Sequence, residues 1–381
     1  MGRSSSTVPD DEASTQAVVH PPTAVNRKAE FPSEIFQAIL EAQQEADIRN
    51  SKYAPNLGTR FEILPKNILG GKIELGDIIV RNELSVVREI LHQPDHVIKY
   101  EMSCSNTGQP HPLITDYHFE RISFYLGLSP EPIFLSPPTP MSMQRGPKTR
   151  FTVDDGLLDR CIRRGRSVVR YMVMKRVGEC FVDLISDKSH GRFSIKQSAR
   201  YGAELVRKLQ ILHENGVIHG DFHCGNVCLS LNDPDDIKII DFGHARFIDA
   251  ETDELLRTPF SEFHQSFSPW QFEGSRYARR DDVFKAIFMV AELMNDIDPF
   301  WTKLKQLHPH DLYRWKKEEF IFKSLASDPF NRLSKRSLEI RVAVLEEFET
   351  ILHVVRSLHS ISDRIPYDEI IERFETIYSL L

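Results

Sequence analysis

Long apolar runs are missing from this chain. No window approaches the roughly 20 apolar residues that a membrane-spanning helix needs, and residues 1–30 lack the apolar core of a secretory leader. The expectation is a protein without a transmembrane segment, working in the cytoplasm, with the nucleus left open. Cysteine is scarce too: five in 381 residues is an odd count and does not read as a disulfide framework, so a reducing compartment is expected. An excess of positive charge is also lacking. With 48 Lys+Arg against 55 Asp+Glu the net charge is −7, which argues against wholesale nucleic-acid binding but leaves room for a local basic patch. The length is enough for a full core and for about two or three units; it says nothing of oligomeric state. Met1-Gly2 with Ser6 fits the loose N-myristoylation pattern, although Arg3 and the shortness of the pattern leave lipidation of Gly2 undecided.

What is present concentrates at residues 217–246, "VIHGDFHCGNVCLSLNDPDDIKIIDFGHAR". The apolar run 237–240 reads as a buried strand, and the Asn232-Asp233-Pro234 turn lets residues 227–229 pair antiparallel with it. That hairpin brings Asn226 beside Asp241. Carboxylate and amide oxygens side by side suit Mg²⁺, which takes oxygen ligands and keeps positions for water and phosphate. The bland alternative is a surface hairpin with solvated aspartates. "HGD" upstream and an asparagine five residues after its aspartate favour the metal-phosphate reading.

These residues resemble the protein kinase superfamily, with its H-R-D-x-K-x-x-N catalytic loop and D-F-G metal loop. The resemblance implies Asp221 as catalytic base, Asn226 and Asp241 as Mg²⁺ ligands, and His219 and Phe242 as supports of the loop. Gly220 stands where Arg is usual and His223 where Lys is usual. "HGDxHxxN" is also similar to the aminoglycoside and choline phosphotransferases, so this stretch implies phosphoryl transfer without naming the acceptor.

Upstream, "DIIV", "SVV" and "HVIKYE" between residues 61 and 100 read as strands. A lysine there can be merely solvated; the kinase V-x-I-K pattern implies instead that Lys99 holds the ATP phosphates. Glu120 in "DYHFERISFYLGL" then matches the helix glutamate that pairs with that lysine, with Phe124 one turn on, and with Glu101 and Glu89 as competitors. A phosphate-cradling loop wants glycines so that backbone N–H groups can approach closely. Counting back from Lys99, "IIVRNELSVV" puts Val80, Asn82 and Ser85 at those positions. A second register uses Gly70, Gly71 and Gly76 and leaves a longer run before Lys99.

Residues 136–167 read as an insertion opening with "SPPTP" and rich in basic residues, Arg145, Lys148, Arg150 and Arg160 among them. It is a solvated loop or a docking or nuclear-localisation patch. "YMVM" is similar to the strand leading into a kinase hinge, which implies Met174 at the back of the pocket and backbone groups of Lys175 and Val177 on adenine. Ser194 with Gln197 forms a capping-box signature, followed by Leu205, Val206, Leu209 and Leu212 at helical spacing until Asn215-Gly216. "RRDDVFKAI" and "VMKRVGECFVDLI" resemble the casein kinase 1 family. The first implies that Asp282 ties a helix start to the catalytic loop, with Val283, Ile287, Val290 and Met294 buried. Leu338, Val342, Leu345, Phe348, Leu352, Val355 and Leu358, and then "PYDEIIERFETIYSLL", predict core helices. His213, His219 and His223 lack the companions of a zinc site.

The expected fold is α+β and two-lobed, protein-kinase-like, with a small β-rich N-terminal lobe and a larger helical one. The expected organisation is a disordered tail over 1–30, a helical extension over 31–60, an N-terminal lobe over 61–177 and a C-terminal lobe over 178–381. The implied function is MgATP-dependent phosphorylation of serine and threonine in a protein substrate. A pseudokinase scaffold and a small-molecule phosphotransferase stand as alternatives.

Overall fold

The computed structural model describes residues 62–63, 72–81, 85–104, 112–136, 139–140, 167–186, 193–233, 235–248, 268, 270, 277–295, 338–360 and 363–381. The expected tail and helical extension at 1–60 lie outside them. Strands β1 (Glu62–Ile63) and β2 (Lys72–Ile73) form a short antiparallel pair. Next come β3 (Leu75–Arg81), β4 (Ser85–Ile90) and β5 (His96–Cys104), the helix α1 (Pro112–Tyr125), β6 (Pro132–Leu135), β7 (Thr139–Pro140) and β8 (Ser167–Lys175). They build one antiparallel sheet in the order β3-β4-β5-β8-β6, with β7 also on β8. The insertion predicted as an irregular loop thus begins with a two-residue strand; 141–166 lie outside the described residues.

Alternation along β5 sorts this lobe into two faces. Ile98 and Tyr100 join Ile73, Val86, Ile90 and Val173 on one side. Val97 joins Met172, Met174 and Leu113 of α1 on the other. Lys99 shares the parity of Val97, so its side chain is carried toward α1.

The rest is mainly helical: α2 (Phe181–Ser186), α3 (Ile195–Glu214), α4 (Arg279–Asn295), α5 (Leu338–Arg356) and α6 (Tyr367–Leu380), with short strand pairs between α3 and α4. The predicted cap of α3 is present, Ser194 Oγ accepting from Gln197 N at 3.1 Å, and Gly216 ends the run at φ +72°. Strands β9 (Val217–Ile218) and β12 (Arg246–Phe247) pair. So do β10 (Val227–Leu229) and β11 (Ile237–Ile239), in the register Val227↔Ile239. Helix α4 is buried on every side from Asp281 to Ile287, as expected of a helix at the centre of a lobe. On α5 the buried stripe is Val344, Phe348, Ile351, Leu352 and Val355, and Val342, predicted to be core, is 43% exposed. The predicted face is otherwise buried as expected at Phe348, Leu352, Val355 and Leu358; Val342 alone among its described positions turns away, and Val344 takes its place. Cys180 and Cys228 face each other across an antiparallel bridge and form a disulfide. Composition had given no reason to expect one, since the fold alone brings these two segments together.

The packing of α6 on α3 depends on Gly202. A Cβ there would lie 2.8 Å from the ring of Phe374, which is fully buried and cannot swing aside. Overpacking costs about 1–3 kcal/mol, against roughly 1 kcal/mol gained when Ala replaces Gly in a helix. Gly202→Ala should therefore lower the urea midpoint, whereas Gly127→Ala, with open space around its Cβ, should suffer only the strain of its positive φ.

Candidate active site

The loop after β9 is held from below. Asp282, in the first turn of α4, accepts from His219 N at 2.8 Å and from His213 Nε2 at 3.1 Å, and Tyr277 OH donates to its other oxygen. Burial would raise the Asp282 pKa, but the bond and charge of His213 outweigh it and the carboxylate stays ionised below its usual range. His219 is buried, which lowers its pKa. Its Nδ1 takes the Asp221 N–H at 3.3 Å and its Nε2 faces Ile240 O at 3.1 Å, while its ring packs on Phe242 at 4.7 Å.

Gly220 has φ +84°, and a Cβ there would approach His244 O to 2.4 Å. No other residue type fits the backbone as it stands. The departure from Arg therefore has a local cause, the close passage of the metal-loop chain.

Asp221 and Asn226 are locked together, Asn226 Nδ2 donating to Asp221 O at 2.9 Å. His223 Nδ1 accepts from Gly225 N at 3.0 Å, which leaves its Nε2–H toward Asp221, 3.6 Å from Oδ2. That is longer than a formed hydrogen bond; the pair is an electrostatic contact. Burial pushes the Asp221 pKa up, yet His223, Lys285 and His244 together hold it far below the carboxylate range. An ionised carboxylate is what a proton acceptor needs.

Asp241, at φ 64° and ψ 65°, occupies the left-handed region that Asp tolerates. Its Oδ1 accepts from Lys99 Nζ at 2.7 Å, and the side chain is 34% exposed. With Asn226's amide nitrogen tied to Asp221, the Asn226 carbonyl oxygen and the second Asp241 oxygen make a hard-oxygen donor set that fits Mg²⁺.

The predicted Lys99–Glu120 pair is corrected. Lys99 Nζ lies 2.7 Å from Asp116 Oδ2, and the other Asp116 oxygen accepts from Phe242 N at 2.7 Å. Glu120 sits one turn along α1 and accepts from Asp241 N at 3.3 Å; its Oε2 is buried with no hydrogen-bond partner among the described residues. Residues 116 and 120 share a helix face, so sequence spacing admits both; the shorter Asp reaches Lys99 because α1 packs close to β5. Burial drives the Glu120 pKa well up, and Asp116 adds to that shift. Lys99 is held well above the usual lysine range, because Asp116 and Asp241 outweigh its burial. Phe124, predicted on this face, is 37% exposed.

The hairpin before Lys99 is β3–β4, in the register Val80↔Val87. Val80 and Ser85 flank its turn, and Asn82 lies outside the described residues, as do Gly70 and Gly71. Gly76 lies in β3, its carbonyl taken by Arg88 at 2.6 Å, so it forms no part of the turn. Met174 is buried in the sheet. Lys175 N donates to Glu131 O at 2.9 Å, and Val177 follows just beyond β8, half-buried. Ser268 is buried and donates to Asp281. Sequence reasoning missed Asp116 and the buried Lys285, which lay unremarked inside motifs quoted for other residues.

The protein kinase domain family matches residues 160–348. A probable serine/threonine-protein kinase of Corynebacterium efficiens is 33% identical over 134 residues, 35% of this chain and 20% of that protein. The serine/threonine-protein kinase PknB of Mycobacterium leprae is 28% identical over 131 residues, 34% of this chain and 20% of its own. The chain thus spans about a fifth of the length of these curated relatives. Among solved structures, that of vaccinia related kinase 3 superposes with a TM-score of 0.52 at 16% identity, covering 90% of this chain and 95% of that one. The fold is the two-lobed α+β fold of the protein kinases, and the protein kinase domain family matches just under half of the chain.

Replacing the Glu120 carboxyl tests this arrangement. A carboxyl with a raised folded-state pKa loses stability for the fold as pH climbs above its unfolded value of 4.5. Glu120→Gln should therefore raise the melting midpoint more at pH 8 than at pH 5. Asp116→Asn breaks a buried pair and should cost roughly 3 kcal/mol; equal effects of the two variants would restore Glu120 as the partner of Lys99.

Proposed function

We propose that this chain transfers the γ-phosphoryl group of ATP to serine and threonine hydroxyls of proteins, and that among protein kinases it lies nearest the casein kinase 1 family. The observation that carries the reading is the Lys99–Asp241 contact at 2.7 Å. It joins the sheet lobe to the metal loop at the point where Asn226 anchors Asp221. Lys99 would hold the α and β phosphates, Asn226 and Asp241 would hold Mg²⁺, and the hinge backbone at Lys175 and Val177 would meet adenine behind Met174. Mg²⁺ supplies charge neutralisation on the phosphate oxygens. Asp221 orients the acceptor hydroxyl and takes its proton. Among the described residues no helix is long and apolar enough to cross a membrane, and we propose a cytoplasmic location with protein substrates and no nucleic-acid partner.

The lack of glycine between β3 and β4, where residues 82–84 are Asn-Glu-Leu, favours a second reading, a scaffold that binds nucleotide weakly without turnover, and His223 favours small-molecule acceptors. Incubation with labelled MgATP, casein, a basic protein and an amino-alcohol panel separates the three by which species takes the label. Asp221→Asn should reduce turnover by about 10²–10⁴-fold while MgATP still binds, and Asp241→Asn should lose metal-dependent nucleotide binding. Full casein phosphorylation by both variants would falsify the assignment.

The hairpin makes a separate prediction. Each backbone hydrogen bond to a charged group is worth roughly 1.5–3 kcal/mol, and one lost contact weakens ATP binding by about tenfold or more. Val80→Gly should lower KM for ATP more than it changes kcat; unchanged constants would mean that no loop clamp operates at this hairpin.

A further inference from the structure

The His223 imidazole is turned to Gly225 N through Nδ1 and stays 3.6 Å from the Asp221 carboxylate through Nε2. In phosphoryl transfer an ionised carboxylate and phosphoryl oxygens approach one another. In a site poor in water, a fixed cation nearby opposes their repulsion far better than solvent does.

Such a cation rises from α4. Lys285 is 8% exposed. Its Nζ lies 3.2 Å from Tyr277 OH and 4.4 Å over the Tyr277 ring. Tyr277 donates to Asp282, whose second oxygen holds His219 N at 2.8 Å, two residues before Asp221. The ammonium therefore lies beneath the catalytic loop. Its neighbours on α4, Val283, Phe284, Ala286 and Ile287, are all core. An ammonium is costly to bury, and an apolar side chain would serve packing better. Asp221 is the carboxylate that acts on Lys285 most strongly, ahead of Asp282 and Asp281, and together they oppose the burial that lowers its pKa. Lys285 in turn acts on Asp221.

We propose that Lys285 is a positioning residue of the reaction: from beneath the loop, through Tyr277 and Asp282, it supplies the fixed positive charge that steadies Asp221 as phosphoryl transfer proceeds. The inference rests on the phosphoryl-transfer reading and extends it to a residue outside the catalytic loop.

The test compares the parent, Lys285→Met and the double variant Lys285→Met/His223→Lys, with MgATP and casein. Lys285→Met should lower kcat by roughly 10- to 100-fold, less than the 10²–10³ lost with a donor placed directly on a reacting oxygen. KM for MgATP should hold steady when the assay is run well below the melting midpoint of the variant. A lysine at 223 should restore part of kcat. Unchanged kcat in Lys285→Met, or a loss that tracks a lower midpoint and is not restored, overturns the proposal. A readout independent of turnover is the ¹³Cε resonance of Lys285, assigned by its absence in Lys285→Met. It should move when Asp221→Asn removes the facing charge. No movement overturns the link between the two residues. If the parent labels no acceptor, the phosphoryl-transfer reading fails, and the resonance alone decides the link.

Discussion

The buried carboxylate of Asp282 is the interaction on which the rest of the larger lobe is assembled. It receives an N–H from the catalytic loop at His219, a ring nitrogen from α3 at His213 and a hydroxyl from Tyr277. His213 passes the connection on to Tyr367 of α6 at 2.6 Å. A carboxylate enclosed this fully is tolerable only because its oxygens are hydrogen-bonded. The same requirement fixes the height of the loop above α4, and with it the place of Asp221. Arg280 next door ties the same helix start to the carbonyl of Leu358 at 3.3 Å and lies over Trp270. The start of α4 is therefore held from several directions.

Above this base the two lobes meet through one cation among acids. Lys99 is shared by Asp116 and Asp241, and Glu120 stands by with an unsatisfied oxygen. One ammonium cannot neutralise three carboxyls, so the acids separate: Asp241 is driven toward the ionised form and Asp116 and Glu120 toward the protonated one. The most exposed of the three carboxyls is the one that keeps its charge. That division suits a site in which Asp241 is to hold a metal while the helix carboxyls hold the lysine and the metal-loop backbone.

Much of the catalytic half was legible from residue order because its contacts are local. The turn-forming Asn232-Asp233-Pro234 sequence announces the β10–β11 hairpin, and Ser194 and Gly216 bracket α3 through backbone requirements that only a few residue types meet. Asn226 and Asp241 were brought together by the same short-range logic. Where two candidates shared a face, as Asp116 with Glu120, helical periodicity had no means of choosing, since it reports direction from an axis and not the distance to the next element.

Residue order by itself determined the β10–β11 hairpin, the bounds of α3 and which carboxylates and amide lie at that hairpin, and it is residue order that suggests phosphate and Mg²⁺. Tertiary structure alone decided that Asp116 is the partner of Lys99, that Gly220 is demanded by the carbonyl of His244, that Cys180 meets Cys228, and that the charges of Lys285 and Asp221 act on one another. The physical reason is common to all four. Each depends on the close approach of groups far apart in the chain, and that approach is set by how the helices and sheet pack, which no local pattern records.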